Sequence, residues 1–430
     1  MLKKEENLRL THVGPGHPMG ELLRRYWHPV AASSQLKGRH TLQVNILGEE
    51  LVLYRDRGGR YGLIEPYCAH RRMSLLYGVP EQRGLRCAYH GWLYDETGKC
   101  LEQPYEETED PEGSFKEKIK IKAYPVEELG GLIFAYMGPK PAPLLPRWDL
   151  WVMEGVVRDI GYAVIPCNWL QIMENSLDPV HVEWLHQNFS NYVVERLNKP
   201  ELQRPRQRHI KVGFDLFEYG IIKRRVLEGE SEEDDDWKVG HPVVFPNMLR
   251  QGNPRQGGGR SGGFQIRVPI DDTHTAHWWY SCYPKRPEDE DQTPEGIPFY
   301  NVPLPKLDEQ GEPRWELLDN NSGQDIVAWI TQGPIADRTL ETLGRSDKGI
   351  ILYRRLLEEQ MRVVERGGDP MNVFRDPTKN SYLHLPTEEN FLAGAARSRP
   401  GRPRVGAATK YSPLLGTRED AGAQASSKGQ

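Results

Sequence analysis

Cysteine is scarce in this chain, with five among 430 residues. Cys68 and Cys87 sit in short motifs with histidine, which leaves Cys100, Cys167 and Cys282 as an odd remainder. A disulfide framework is therefore not expected, a reducing cytoplasm is, and the three spare thiols read as small buried apolar groups. Long hydrophobic runs are missing too. None approaches the ~20 residues a membrane helix needs, and the mean hydropathy is −0.67. The opening Met1-Leu2-Lys3-Lys4-Glu5-Glu6 is charged and has no apolar signal core. A strong excess of one charge is absent as well: the net charge is −5, and without a basic stripe a nucleic-acid partner is not expected. No G-x-G-x-x-G strand–turn–helix fingerprint occurs, so the chain is not expected to bind NAD or flavin itself. What remains, 27% charged and 37% hydrophobic residues, is ordinary for a soluble protein of two or three domains.

Two short loops stand out against this background. Cys68-Ala69-His70 and Cys87-Ala88-Tyr89-His90-Gly91-Trp92 each offer one thiolate and one imidazole. The order Cys-His, then Cys-His, lets the cysteine pair hold one metal and the histidine pair another. A Rieske [2Fe–2S] centre needs that division, because two histidines replace two cysteines on one of its irons. Zinc also takes two cysteines and two histidines, but its usual order puts both cysteines first. Gly91 permits a positive φ beside the metal, and Trp92 and Tyr67 are placed to cover the sulfurs.

Patterning around the loops suggests a small all-β unit. A short helix is expected from about Met19 to Trp27. From Thr41 the period is two: Leu42, Val44 and Ile46, a turn at Gly48-Glu49-Glu50, then Leu51 and Leu53, a second turn at 56–59, then Tyr61, Leu63 and Ile64. Further strands are expected near 119–123 and 131–137, and Pro139, Pro141, Pro143 and Pro146 make a stiff linker. Beyond it, strands are expected at 207–217, 220–227, 240–250, 263–270 and 275–284, with Gly257-Gly258-Gly259 among the turns. His274 and His277 read as ordinary strand positions. An amphipathic helix covers about 347–366. The tail from Ala395, with seven basic and two acidic residues and no periodicity, reads as disordered or as wrapping another subunit.

A second constellation lies in Asn168–His186, where Asp178, His181 and His186 form D-x-x-H-x-x-x-x-H. Five residues apart, the two histidines are about 140° apart on an α-helix. They reach one ion only if the helix is distorted or ends between them. Asp178, followed by Pro179, is also a plausible helix cap. An acid from later in the chain would complete a site. The run 228–236 reads as a solvated loop. Asp325 opens an apolar helical segment and can point into a core, with Asp319 and Asp337 as alternatives.

Together the two constellations resemble the Rieske non-heme iron oxygenases, over about residues 9 to 390. The segments "GPGHPMGELLRRYWHPVA", "GLIFAYMGP", "PCNWLQIMENSLDPVHVEWLH" and "GPIADRTLETLGRSDKGI" resemble the oxygenase (alpha) component of the phthalate-dioxygenase and aryl O-demethylase branch. The resemblance implies an α+β protein. Residues 1–27 would be an N-terminal helical segment, 28–145 an all-β Rieske [2Fe–2S] domain, 146–394 a helix-grip-like catalytic domain with an antiparallel sheet, and 395–430 the tail. It implies that Cys68, His70, Cys87 and His90 hold the cluster, and that His181, His186 and Asp325 hold a mononuclear Fe(II) as a two-histidine, one-carboxylate triad with open positions. Asn175, ahead of Glu174, matches a family position near the iron. Asp178 matches the bridge that carries electrons from the cluster of a neighbouring subunit, so a homotrimer or hexamer is implied. A glutamate often found shortly after the carboxylate ligand is absent here, where Ile330 is nearest.

The function implied is that of a terminal oxygenase using O2 and electrons from a separate reductase, directly or through a ferredoxin, with NAD(P)H acting only through that reductase. The foremost reading is O-demethylation of a methoxylated, lignin-derived biaryl aromatic acid with release of formaldehyde. A phthalate-type ring dioxygenase giving a cis-dihydrodiol is the alternative, and an electron-transfer protein or a zinc-held binding module are more remote ones. An aromatic acid calls for a cation in the pocket, for which Arg250 and Arg267 are candidates, weighed against arginines that cover surface with their stems.

Overall fold

Strand alternation, turn chemistry and the proline-rich stretch fix the first part of the chain. In the computed structural model, which describes residues 2–252, 261–387 and 408–415, Thr41–Ile46 pairs with Glu49–Arg55, and Ile46 lies opposite Glu49. The connecting turn is Leu47-Gly48, not Gly48-Glu49-Glu50. Both residues take positive φ (49° and 76°), as a two-residue hairpin turn requires. Leu47 tolerates this because it is buried and its N–H, with that of Gly48, donates to the carbonyls of Pro269 and Ile270. The hairpin tip is thus pinned to the second half of the chain.

Tyr61–Ile64 and Ala123–Tyr124 complete that four-stranded sheet. A second sheet, Val79–Pro80, Leu85–Arg86, Leu93–Tyr94 and Cys100–Glu102, carries the metal loops. A third joins Trp27–Ala32 to Leu132–Tyr136 and Val126–Leu129. The first-segment helix is shorter than expected, Pro18–Leu23, because Trp27 is already in a strand opposite Tyr136.

The second half is built on an eight-stranded sheet, in the order His209–Phe217, Gly220–Leu227, His241–Val244, Met248–Gln251, Gly262–Pro269, Thr275–Pro284, Val156–Ile165 and Phe299–Asn301. All neighbours are antiparallel except the last pair. The fold class is α+β, as the sequence leads one to expect. Two details differ. The strand expected at 240–250 is two strands, split at Pro246, which has no N–H for a ladder. The strand Val156–Ile165, one in from the edge of the sheet, was not expected, since Asp159, Gly161 and Tyr162 break its apolar pattern.

Helices Trp169–Ser176, Asn321–Ile330 and Lys348–Glu365 pack with this sheet. The last matches the expected amphipathic helix, with Leu357 and Met361 fully buried. Arg9 of the N-terminal helix Lys4–Thr11 ties to it through Glu358 and Glu365. The Gly257–Gly259 turn lies outside the described residues, as does the tail apart from residues 408–415, which pack on their own chain. No helix among the described residues is long and apolar enough to cross a membrane.

Candidate metal centres

The two cysteine loops are twins. In each, the cysteine N–H donates to the carbonyl five residues on (Cys68 to Met73, Cys87 to Trp92), and the residue four on donates back to the cysteine carbonyl (Arg72 and Gly91). That fourth residue has positive φ in both loops, 59° at Arg72 and 77° at Gly91. A side chain at Gly91 would also crowd Pro104. Repeating the geometry presents two thiols inward and two imidazoles outward: Cys68 and Cys87 are buried, His70 and His90 exposed. The histidine rings lie 4.4 Å apart, and Trp92 stacks on His70 at 4.7 Å while also filling the local core.

Burial, with Cys87 close by, pushes the Cys68 thiol up, opposed by the Tyr94 hydroxyl. That hydroxyl accepts from Ala69 N–H and lies 3.2 Å from Cys68 Sγ, so its own proton is free to go to sulfur. Tyr94, not Tyr67, is therefore the aromatic partner of the sulfur. Tyr67 instead sits under the Arg72 guanidinium. The only sequence signal for Tyr94 is its position two after Trp92, leading out of the second loop.

The four donors do not converge on one ion. Among the described residues, only His181, His186 and Asp325 bring three ligand atoms within 4.8 Å of one another. A tetrahedral zinc ion would draw all four loop donors into that range. Two separated pairs fit a two-iron cluster.

The His181–Asp325 group is assembled by a helix distortion. After the short turn His181–Glu183, the chain runs as a π-helix over Trp184–Phe189. The wider π turn brings residues five apart closer to one line than an α-helix does, which resolves the awkward spacing of the two histidines. Their rings are 5.1 Å apart, and their Nε2 atoms lie 3.7 Å (His181) and 3.2 Å (His186) from Asp325 Oδ1.

The tautomers are set from behind. His181 Nδ1 donates to the Asp178 carbonyl at 2.6 Å. His186 Nδ1 donates to Gln324 Oε1 at 2.8 Å, and Gln324 can only accept there because its Nε2 donates to the Leu318 carbonyl. Both Nε2 lone pairs then face a buried carboxylate oxygen that has no hydrogen-bond partner. Three acceptors turned toward one point call for a cation, and the donor set suits iron with open positions. Burial pushes the Asp325 carboxyl up, but positive charge on His186 and His181, whenever those rings are protonated instead of turned as acceptors to a cation, and on Arg267 holds it below the usual carboxylate range. Gln324 carries no sequence signal beyond its place beside Asp325.

The other candidates separate clearly. Asp178 caps the turn through Val180 N–H, while its Oδ2 lies 3.7 Å from His181 Nδ1 and its side chain stays partly exposed. Asn175 is half-buried at the end of its helix. Glu174 is taken by Arg338 and Arg354. Asp319 pairs with Lys410, and Asp337 caps an exposed turn at Thr339. Within the acidic run, Asp236 is not solvated but paired with Arg225. His274 is exposed beside Asp271, whereas His277 is fully buried.

Neither arginine candidate covers surface, as both are buried. Strand alternation puts them on opposite faces of the sheet: Arg250 pairs with Phe264, Arg267 with His277. Arg250 faces Asp149 and so is not at the metal group. Arg267 is on the metal side. It donates to Gln265, His277 and Met173, all neutral, and burial lowers its pKa to about 9 although Asp325 attracts its charge.

Comparison with known proteins agrees with this architecture. Residues 26–125 match the Rieske [2Fe-2S] domain, and residues 318–382 a LigXa C-terminal domain-like family. The chain is similar to the 5,5'-dehydrodivanillate O-demethylase oxygenase subunit of Sphingobium sp. (strain SYK-6), 44% identical over 90% of this chain and 87% of that one. It is 32% identical to the phthalate 4,5-dioxygenase oxygenase subunit of Pseudomonas putida, over 85% of this chain and 88% of that one. The solved NdmA of Pseudomonas putida CBB5 with caffeine shares the fold, with a TM-score of 0.59, 21% identity, and coverage of 82% and 94%. One Rieske [2Fe–2S] cluster and one mononuclear non-heme iron are the cofactors of such a chain. It belongs to the Rieske non-heme iron oxygenases, as an oxygenase subunit of the phthalate-dioxygenase and aryl O-demethylase branch.

Proposed function

We propose that this oxygenase O-demethylates a methoxylated biaryl aromatic acid of the 5,5'-dehydrodivanillate type. In this reading residues 28–145 hold the cluster through Cys68, His70, Cys87 and His90, and residues 146–394 hold the iron through His181, His186 and Asp325. The observation that carries it is the buried, unpartnered Asp325 oxygen facing two histidines of fixed tautomer, in a chain 44% identical to an O-demethylase subunit. When bound, the cluster would supply single electrons and the iron the O2 activation that oxidises the methyl carbon. One O2, two electrons and two protons convert the aryl methyl ether to a phenol, formaldehyde and water, by way of a hemiacetal that collapses.

The chain's residues do the rest. Gln324 and the Asp178 carbonyl hold the two imidazoles with Nε2 forward. Arg267, a buried cation with only neutral hydrogen-bond partners, attracts a substrate carboxylate toward the metal side of the sheet. Asn175 is assigned a place near the iron on its match to the family position alone. Asp178 keeps one carboxylate oxygen for a histidine of a neighbouring subunit in a homotrimer or hexamer. Electrons come from a separate reductase, directly or by way of a ferredoxin, and the setting is the cytoplasm.

The test is turnover with a methoxylated biaryl acid and a compatible reductase, following formaldehyde and oxygen uptake together. Formaldehyde in step with O2 is expected. A cis-dihydrodiol from phthalate-like acids, with no formaldehyde, would replace this reading with the ring-dioxygenase one, which the 32% identity to a phthalate 4,5-dioxygenase subunit favours.

A further inference from the structure

Residues 408–415 lie far along the chain from every ligand candidate, yet they grip the part of the fold that holds the mononuclear site. Ala408 and Leu415 are buried with Val157 and Tyr283. The Ser412 hydroxyl donates to buried Asp159 and accepts from Tyr283 at 2.8 Å and from Leu415 N–H. Thr409 donates to the Tyr300 hydroxyl at 3.1 Å. These contacts anchor the segment on the sheet. Two others reach the Asn321–Ile330 helix, which carries Gln324 and Asp325, and the 316–319 turn that leads into it. Tyr411 packs against the apolar cluster to which Ile326 and Trp329 of this helix belong. Lys410 Nζ donates to the Glu316 carbonyl at 2.6 Å and to the Asp319 carboxylate.

Lys410 thereby clamps both sides of Leu318. The Leu318 carbonyl takes the Gln324 amide at 2.8 Å, and that amide takes the His186 Nδ1 proton at 2.8 Å. A continuous set of hydrogen bonds therefore runs from the clamped turn to one metal ligand. If the turn at 316–319 loosens, the Gln324 amide loses its fixed direction, and with it His186 loses its tautomer and aim. Groups that orient a ligating histidine contribute about 10- to 100-fold in metal affinity.

We propose that residues 408–415 are a clip that positions the mononuclear site, with Lys410 as the positioning residue acting through the 316–319 turn and Gln324 on His186. This rests on the reading of His181, His186 and Asp325 as metal ligands. The segment adds no ligand and touches no substrate. It sets how well a site built elsewhere holds its ion.

The experiment compares full-length wild type, Lys410→Met and Lys410→Arg. Anaerobic Fe(II) titration follows the mononuclear site, cluster absorption serves as an internal control, and thermal melting reports the fold. Lys410→Met, which keeps the apolar stem and loses the donors, is expected to bind Fe(II) roughly tenfold more weakly, with cluster absorption and melting temperature unchanged. Lys410→Arg is expected to recover most of the affinity. Wild-type Fe(II) affinity in Lys410→Met overturns the clip, as does a fall in melting temperature without a fall in affinity. A wild-type chain that takes up no Fe(II) beyond the cluster, with Asp325→Ala indistinguishable from it, would instead defeat the reading of the site itself.

Discussion

A single hydroxyl separates the environments of the two cluster thiols. Tyr94 Oη sits 3.2 Å from Cys68 Sγ and accepts from Ala69 N–H; a cysteine that holds a cluster is a thiolate and can only accept, so the hydroxyl proton then goes to the sulfur. No tyrosine hydroxyl is placed against Cys87 among the described residues. A donor to a cluster sulfur favours the more negative, reduced form, so the hydroxyl raises the potential. A net hydrogen bond is worth about 1 kcal/mol, which for a one-electron couple is about 40 mV on the scale of ~59 mV per tenfold. Tyr94→Phe is therefore expected to lower the cluster midpoint by roughly that amount in a spectroelectrochemical titration, with the cluster still formed. An unchanged midpoint would show that the proton points elsewhere. The loop cysteines and histidines were legible in the sequence because spacing alone distinguishes them. Tyr94 and Gln324 were not, since each acts through a side-chain direction that only tertiary packing fixes. Arg250 and Arg267 show the same limit: both are strand arginines, and only the register puts one on the metal side.

Among the elements, the most legible feature was a misfit. Histidines five apart do not share an α-helical face, and the π-helix at Trp184–Phe189 is the physical answer. The long amphipathic helix and the alternating hairpins were equally readable, because the apolar period determines them. Val156–Ile165 was not, for it is an inner strand between two neighbours, with Asp159 buried in it instead of an apolar side chain. What couples the metal-side helices is also invisible in one dimension. Glu174, beside Asn175, accepts from Arg338 at 2.7 Å and from Arg354 at 2.7 Å, and Arg354 continues to Glu341. Burial raises the Glu174 carboxyl, but the two guanidiniums more than offset it and hold it low. Removing a partner from such a buried group leaves cations uncompensated and costs about 3–5 kcal/mol. Glu174→Gln is expected to lose about that much in urea unfolding. A loss near zero would mean that Glu341 alone suffices for Arg354 and that Arg338 is satisfied by Asn7 and Ala336.

For the whole molecule, the question is where an electron leaving the first centre goes. His70 and His90 are exposed at the tip of their loops, and among the described residues no hydrogen bond or ion pair joins those loops to residues 178–186. Asp178, on the other side, keeps a partly exposed carboxylate against His181. Two outward-facing ends on one chain are what head-to-tail subunits in a closed ring would join, each cluster serving the next chain's iron site. Chains with complementary defects distinguish this from transfer within a chain. On the ligand assignment proposed above, His90→Ala removes a cluster ligand and Asp325→Ala an iron ligand, so neither chain alone should turn over substrate. Co-expressed in equal amounts and assembled at random, an interface is competent only if the cluster side comes from an Asp325→Ala chain and the iron side from a His90→Ala chain. About a quarter of interfaces meet that condition in a cyclic ring, and roughly that share of wild-type turnover is expected from the purified mixed oligomers. If transfer runs within one chain, every subunit carries one defect and the mixed oligomers are as inactive as the separate variants, whatever their assembly state.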